Sequence, residues 1–302
     1  MKHFIGIGEF SKEELTSLIG QAMDIKKNPA GYADVLRGKY IALFFEKPSL
    51  RTKASFFIGT LQLGGQAIYF SPDEIQLGKR EKISDVARAT SQFVDAAVLR
   101  TFSHDNVLEF QKFSTIPVIN ALSDFSHPSQ ILGDLITMST HFGTLKGRKV
   151  AYVGDGNNVC NSLIYAFAIL GGSLSVATPK KYSPKPAVLK DARELSKRSG
   201  ASITFDSLQN AASGADVLYT DVWASMGQEK EAAIRRKAFK QFQINDKLMK
   251  LAKPDCLVMH CLPAHRGEEI SESAIESSNS VVFEQAQDRL HAAKAILRYV
   301  FS

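Results

Sequence analysis

Lys149-Val150-Ala151-Tyr152-Val153-Gly154-Asp155-Gly156-Asn157-Asn158 joins an apolar run of strand length to a glycine-bearing turn and the start of a helical-period segment, Asn158–Leu170. A second apolar run, Ser173–Ala177, follows at once. Strand, helix and strand in that order form a crossover unit with parallel strands. The same alternation extends in both directions. Upstream, the expected strands are Ile41–Phe45, Gln66–Phe70, Ala96–Leu99 and Ile116–Ile119. Downstream they are Ser202–Phe205, Val217–Thr220, Cys256–His260 and Val281–Phe283. Amphipathic segments such as Lys53–Leu63, Ile83–Phe93, Pro184–Ser199 and Ala286–Tyr299 lie between and after them. The expected fold class is α/β: two doubly wound domains, each with a mainly parallel sheet flanked by helices.

A chain of 302 residues is long enough for two ordinary cores. The polar turn Phe142-Gly143-Thr144-Leu145-Lys146-Gly147-Arg148 follows a helix that begins at Pro128 and precedes a new strand. It sets the expected boundary, with residues 1–142 in one domain and 143–284 in the other. The final segment, 285–302, is read as a helix that packs back on the first domain.

Composition narrows the class. With 44% hydrophobic and 23% charged residues the chain reads as a soluble globular protein. No apolar run reaches bilayer length, so no membrane partner is expected. The N-terminus meets Glu9, Glu13 and Glu14 too soon for a secretory segment. Cys160, Cys256 and Cys261 are an odd count without paired spacing, which suits reduced thiols in a cytosol. The net charge of +6 fits a small anionic ligand. Its basic clusters are short and scattered, so no nucleic-acid partner is expected.

Several segments carry groups suited to chemistry. In Phe44-Phe45-Glu46-Lys47-Pro48-Ser49-Leu50-Arg51-Thr52-Lys53 a strand ends, and Ser49 stands where an N-cap would open a helix. Free N–H groups and the dipole at such a start attract phosphate, and Ser49, Arg51 and Thr52 would add hydroxyls and a forked cation. A plain cap with solvated basic residues reads the same stretch equally well. The glycines of a Walker loop are missing. In His127-Pro128-Ser129-Gln130, Pro128 fits the first helical position. The dipole there favours a neutral His127 ring able to hydrogen-bond a polarised carbonyl, although a simple cap is the commoner use.

Gly154-Asp155-Gly156-Asn157-Asn158 invites a dinucleotide reading, but the third glycine is absent. The strand after it ends in Val176-Ala177-Thr178-Pro179, without a carboxylate for a ribose. Asn158 facing a small ligand is the better account. Asp221-Val222-Trp223-Ala224-Ser225-Met226-Gly227 offers a carboxylate for an ammonium and a hydroxyl beside it. Read alone, it is also a surface loop anchored by the only tryptophan. Met259-His260-Cys261-Leu262-Pro263-Ala264-His265-Arg266-Gly267-Glu268-Glu269 leaves three readings open: a metal site, a cysteine nucleophile or a substrate-orienting loop. Alternation along the strand would point His260 and Cys261 to opposite sides. Arg289 falls on the first turns of the last helix.

Taken together, Ser-x-Arg-Thr at 49–52, His-Pro-x-Gln at 127–130, Gly-Asp-Gly-Asn-Asn at 154–158, Asp-Val-Trp-x-Ser-Met-Gly at 221–227 and His-Cys-Leu-Pro at 260–263 resemble ornithine carbamoyltransferases. The resemblance runs in the family's order from Phe45 to Arg289. It implies transfer of a carbamoyl group from carbamoyl phosphate to the side-chain amine of L-ornithine, giving L-citrulline and phosphate. It also implies a homotrimer, or a multiple of one, with active sites at subunit interfaces.

By the same resemblance, Ser49, Leu50 (through its backbone), Arg51 and Thr52 would hold the phosphate, joined by Gln76 from a neighbouring subunit. Arg100, His127 and Gln130 would bind the carbamoyl end. Asn158, Asp221, Ser225 and Met226 would hold the amino-acid head of ornithine. Cys261, Leu262 and Arg289 would line the reacting centre, with Arg51, Arg100, His127 and Cys261 in the catalytic roles. Preset donors would stabilise the oxyanion, and departing phosphate can accept a proton, so no metal or other cofactor is required. The rivals are a carbamoyltransferase for putrescine or an N-acylated ornithine, a catalytically silent paralogue, and a metallohydrolase built on His260, Cys261 and His265. The extra C-terminal helix expected of putrescine enzymes has no counterpart before Ser302. Leu50, Phe57 and Gln228 depart from the family's usual Thr, Glu and Glu.

Overall fold

The computed structural model describes residues 1–225 and 227–302. The chain divides into two compact units, Met1–Ile136 with Gln287–Ser302, and Thr137–Ala286.

The first unit is built on four parallel strands: β1 (Tyr40–Phe45), β2 (Gln66–Phe70), β3 (Ala96–Arg100) and β4 (Val118–Leu122). They are ordered β2-β1-β3-β4. β1 is buried from Ile41 onward and β3 throughout, the pattern of strands covered on both faces. Phe44, Leu99, Phe110 and Val118 meet in one apolar cluster. Each such side chain contributes about 1.5–3 kcal/mol on burial. β4 begins at Val118, two residues later than expected, because Pro117 has no N–H to donate. Its carbonyl still accepts Ala97 N–H at 2.9 Å.

The second unit holds β5 (Lys149–Val153), β6 (Ser173–Ala177), β7 (Ser202–Phe205), β8 (Val217–Thr220) and β9 (Leu257–His260), all parallel and ordered β7-β6-β5-β8-β9. The fold class is thus the expected one, two parallel sheets flanked by helices. One strand is not. Val281–Phe283 is not a strand: Ser280 makes a single bridge to Val258, and the helix Val282–Val300 begins directly after it. The Val281 carbonyl accepts Gln285 N–H at 2.8 Å, so the chain turns helical before a ladder can grow.

Chain order reverses once in each sheet, between β1 and β3 in the first and between β5 and β8 in the second. The carboxyl ends flanking such a reversal splay their loops apart and leave a crevice for ligand. The chemistry-bearing loops after β1, β3, β5 and β8 all leave from these ends.

Candidate active site

In the first unit, β1 delivers Ser49 to the start of the helix Leu50–Gln62. Ser49 is extended (φ −160°, ψ 119°), and its hydroxyl accepts Thr52 N–H at 3.2 Å. Arg51 and Thr52 follow on the first turn, where helical N–H groups lack intrahelical acceptors. The buried Thr52 Oγ1 accepts Arg289 Nη2–H at 2.6 Å and lies 3.4 Å from Arg100 Nη1. Arg100 ends β3, next in register to Phe45. Arg289 comes from the last helix, 237 positions beyond Thr52.

His127 starts the helix Pro128–Phe142 and is buried. Burial, then the Arg289 and Arg100 cations, hold its ring well below the usual imidazole range, against the pull of a hydrogen bond to the Ala121 carbonyl. The ring is therefore neutral at pH 7. Ser129 Oγ donates to the same carbonyl at 2.9 Å and lies 3.4 Å from His127 Nδ1. One turn on, Gln130 donates its amide to Asp134 Oδ1 at 2.8 Å.

Of the expected donor-site residues in this unit, Ser49, Thr52, Arg100 and Arg289 are tied by hydrogen bonds, with His127 within their electrostatic reach. The Leu50 side chain points outward, 77% exposed, so only its backbone is available. Gln76 is exposed at the left-handed residue (φ +42°) that ends the short helix Pro72–Ile75.

In the second unit, Asn157 caps the helix Asn158–Leu170 and orients the site at once. Its Oδ1 accepts Val159 N–H and Cys160 N–H at 3.0 and 3.1 Å, while its Nδ2 donates to Asp221 Oδ2 at 2.7 Å. Asp221, just past β8, also accepts Val222 N–H and the Cys261 thiol on Oδ1, each at 2.8 Å. Asn158 is half-buried on the first helical turn. Sequence reasoning missed Asn157, although an Asn at a helix start is a recognised cap signal.

The loop after Asp221 is held from behind by Arg235, on the helix Ala232–Phe239. Its Nη1–H reaches Asp155 Oδ2 at 2.9 Å and the Trp223 carbonyl at 3.0 Å, and its Nε–H reaches Glu231 at 3.2 Å. The guanidinium also sits 4.9 Å from the centre of the Tyr182 ring. Burial pushes the Asp155 carboxyl up to about 6 against the opposing pull of Arg235. Ser225 is half-buried, and its N–H donates to Gln228 Oε1 at 3.0 Å, so the unusual Gln228 braces the loop. Met226 lies outside the described residues. Phe57 has no structural account.

β9 ends at His260. Beyond the last pleated residue the period of two no longer applies, and the expectation that His260 and Cys261 face opposite sides fails. Ligand-type atoms of Asp221, His260 and Cys261 lie within 4.8 Å of one another. Both His260 nitrogens are already engaged: Nδ1 accepts Leu262 N–H at 2.8 Å, and Nε2 meets Glu269 Oε1 at 3.0 Å. Because Nδ1 accepts, the proton sits on Nε2 and is donated to Glu269. A nitrogen ligand for a cation is not on offer here. His260 and Glu269 instead hold the turn at Leu262 (φ +54°), which precedes a cis Leu262–Pro263 bond.

Similarity to known proteins covers the whole chain. Residues 2–140 match the model of the aspartate/ornithine carbamoyltransferase carbamoyl-P binding domain. Residues 146–300 match that of the aspartate/ornithine carbamoyltransferase Asp/Orn binding domain. The chain is 45% identical to an ornithine carbamoyltransferase of Acinetobacter baylyi, covering 100% of this chain and 97% of the relative. It is 49% identical to one from Thermococcus kodakarensis, with 97% and 94% covered. Among solved structures, the ornithine carbamoyltransferase from Pyrococcus furiosus superposes with a TM-score of 0.95 at 46% identity, covering 98% of this chain and 96% of that one.

Proposed function

The chain belongs to the aspartate/ornithine carbamoyltransferase family, and from that membership we infer that it transfers the carbamoyl group of carbamoyl phosphate to the side-chain amine of L-ornithine. The products are L-citrulline and phosphate. The observation that carries the reading is the charge and hydrogen-bond set of each half-site. In the first unit two guanidiniums meet at Thr52, within electrostatic reach of a neutral imidazole, which suits an anionic acyl donor. The second presents a carboxylate fixed by Asn157 and Cys261, which suits an ammonium head.

Ser49, the Leu50 N–H, Arg51 and Thr52 bind the phosphate, with Gln76 reaching it from a neighbouring subunit. Arg100, His127 and Gln130 take the carbamoyl end. Asn158, Asp221, Ser225 and Met226 hold the amino-acid head, and Cys261, Leu262 and Arg289 line the reacting centre. The nucleophile must be a neutral amine, whereas a free alkylamine is protonated at pH 7. The cations Arg51, Arg100 and Arg289 disfavour the ammonium form. The amine nitrogen bonds to the carbamoyl carbon, the carbon–oxygen bond to phosphate breaks, and the phosphate takes the amine proton. Donors already in place stabilise the oxyanion without reorganising. This sequence needs no metal.

Residues 1–142 with 285–302 serve as the carbamoyl phosphate-binding domain and 143–284 as the ornithine-binding domain. Active sites at the interfaces of a homotrimer, or a multiple of it, complete the reading. Exposed Leu50, Ile58 and Leu61 along one face of the helix Leu50–Gln62 support such an assembly. No helix among the described residues is long and apolar enough to cross a membrane. We propose a cytoplasmic setting, with arginine biosynthesis as the process it serves.

The test is an assay, with chelator present, of carbamoyl phosphate against ornithine, putrescine, N-acetylornithine and aspartate, reading ureido product and phosphate. Citrulline from ornithine is expected. No citrulline, or a better product from another amine, would sink the reading.

A further inference from the structure

Gln130 is 1% exposed, and the carboxylate it meets, Asp134, is fully buried. A carboxylate oxygen can only accept, so the branch of the amide facing it must be the NH2 group, and the 2.8 Å contact from Nε2 to Oδ1 fixes that orientation. The other branch, Oε1, is buried with no hydrogen-bond partner. A buried acceptor left unmatched is costly, and a ligand N–H that reached it would recover that cost. Without Asp134 the amide could turn by half a rotation and offer either its oxygen or its NH2 group. With Asp134 in place only the oxygen is on offer.

We propose that Asp134 is a positioning residue that makes Gln130 a one-way acceptor, so that the first half-site selects a carbamoyl N–H over the methyl of an acetyl phosphate. The proposal rests on the reading that the carbamoyl end binds at Gln130. It goes beyond that reading in naming what fixes the amide and which donor it rejects. Carbamoyl and acetyl phosphate share their phosphate, their carbonyl and nearly their shape. They differ in the group that would meet Oε1, an N–H in one and a C–H in the other.

The experiment measures KM for carbamoyl phosphate and the competitive Ki of acetyl phosphate in the full-length wild type, Asp134→Asn and Gln130→Met. In the wild type acetyl phosphate should bind at least roughly tenfold more weakly, because it leaves the acceptor unpaired. In Asp134→Asn that ratio should shrink several-fold, since an amide partner tolerates both orientations of Gln130. Gln130→Met should shrink it as well, and the double variant no further. If Asp134→Asn weakens both ligands equally and keeps the wild-type ratio, Asp134 is only structural and the proposal is overturned. A wild type that binds neither ligand refutes the functional reading instead. Should Asp134→Asn fail to fold, the Gln130 side-chain amide in the wild type decides by NMR. Its NH2 protons should exchange slowly, and stay put when carbamoyl phosphate is added. An NH2 signal that shifts strongly on binding would show nitrogen, not oxygen, facing the ligand.

Discussion

The Cys261 thiol lies 2.8 Å from Asp221 Oδ1, and both side chains are buried. A thiol held on a carboxylate has a fixed direction, which suits the orienting role proposed above. Cys261→Ser should therefore lower kcat/KM for ornithine by roughly ten- to a hundredfold, through a misplaced shorter donor, and leave the KM for carbamoyl phosphate nearly unchanged. Steady-state kinetics with each substrate varied in turn provide the check. A collapse of carbamoyl phosphate binding alone would refute the assignment.

Asp155 and Arg235 predict a pH response. Burial raises the Asp155 carboxyl from 3.8 to about 6, so the folded state holds this proton more tightly than the unfolded one. The carboxylate is charged at pH 7 and takes up a proton as pH falls through about 6. Stability attributable to this group declines, by the same sign, as pH rises from about 4 toward 6. Protonation removes the charge partner of Arg235 and loosens its hold on the Trp223 carbonyl. The KM for ornithine should rise below pH 6, while that for carbamoyl phosphate follows its own profile. Asp155→Asn should show the raised ornithine KM already at pH 7 and lose the step near 6.

His291 gives a stability test. Burial, then the Lys294 and Lys26 cations, lower its ring to about 4, and its Nδ1 is buried without a hydrogen-bond partner. The folded state binds this proton more weakly than the unfolded one. The contribution is fully present above about 6.5 and is lost as pH falls toward about 4. Urea unfolding at pH 7 and pH 4.5 should differ by roughly 1–2 kcal/mol more in the wild type than in His291→Phe, with solvent screening trimming the effect.

Gly156→Ala should be disruptive out of proportion to one methyl group. A Cβ at this position would lie 2.4 Å from Pro184 N and 2.6 Å from Ser183 C, both backbone atoms that cannot swing aside. The expected loss is about 2–4 kcal/mol of stability, together with a raised ornithine KM as Asn157 and Asn158 shift. Thermal melts and ornithine titration would detect both. An unchanged melting temperature would count against the close approach.

The sheets were legible because parallel strands buried on both faces read as unbroken apolar runs, as β1, β5 and β8 do. Val281–Phe283 misled for the same reason: three apolar residues look alike as a strand end or a helix start, and only the Gln285-to-Val281 hydrogen bond separates them. Asp221, just past a strand end, could be found from position, whereas Arg100 was reached only through the family resemblance. The supporting pairs could not be found from position. Arg235 meets Asp155 across 80 positions, and His260 depends on Glu269 beyond a turn, so no local pattern announces either pair. Asn157 was visible as a cap, but its grip on Asp221, 64 positions away, was not.

The contact between Thr52 and Arg289 sets a rule for how the chain comes to life. Thr52 leaves a ribosome early, yet the guanidinium that grips its hydroxyl is made 237 residues later. At typical synthesis speeds of about 5–20 residues per second, that interval is roughly 10–50 seconds. Through all of it the nascent first sheet can fold but cannot make this contact. A chain cut short before the last helix therefore lacks this tie between its first sheet and its C-terminal segment.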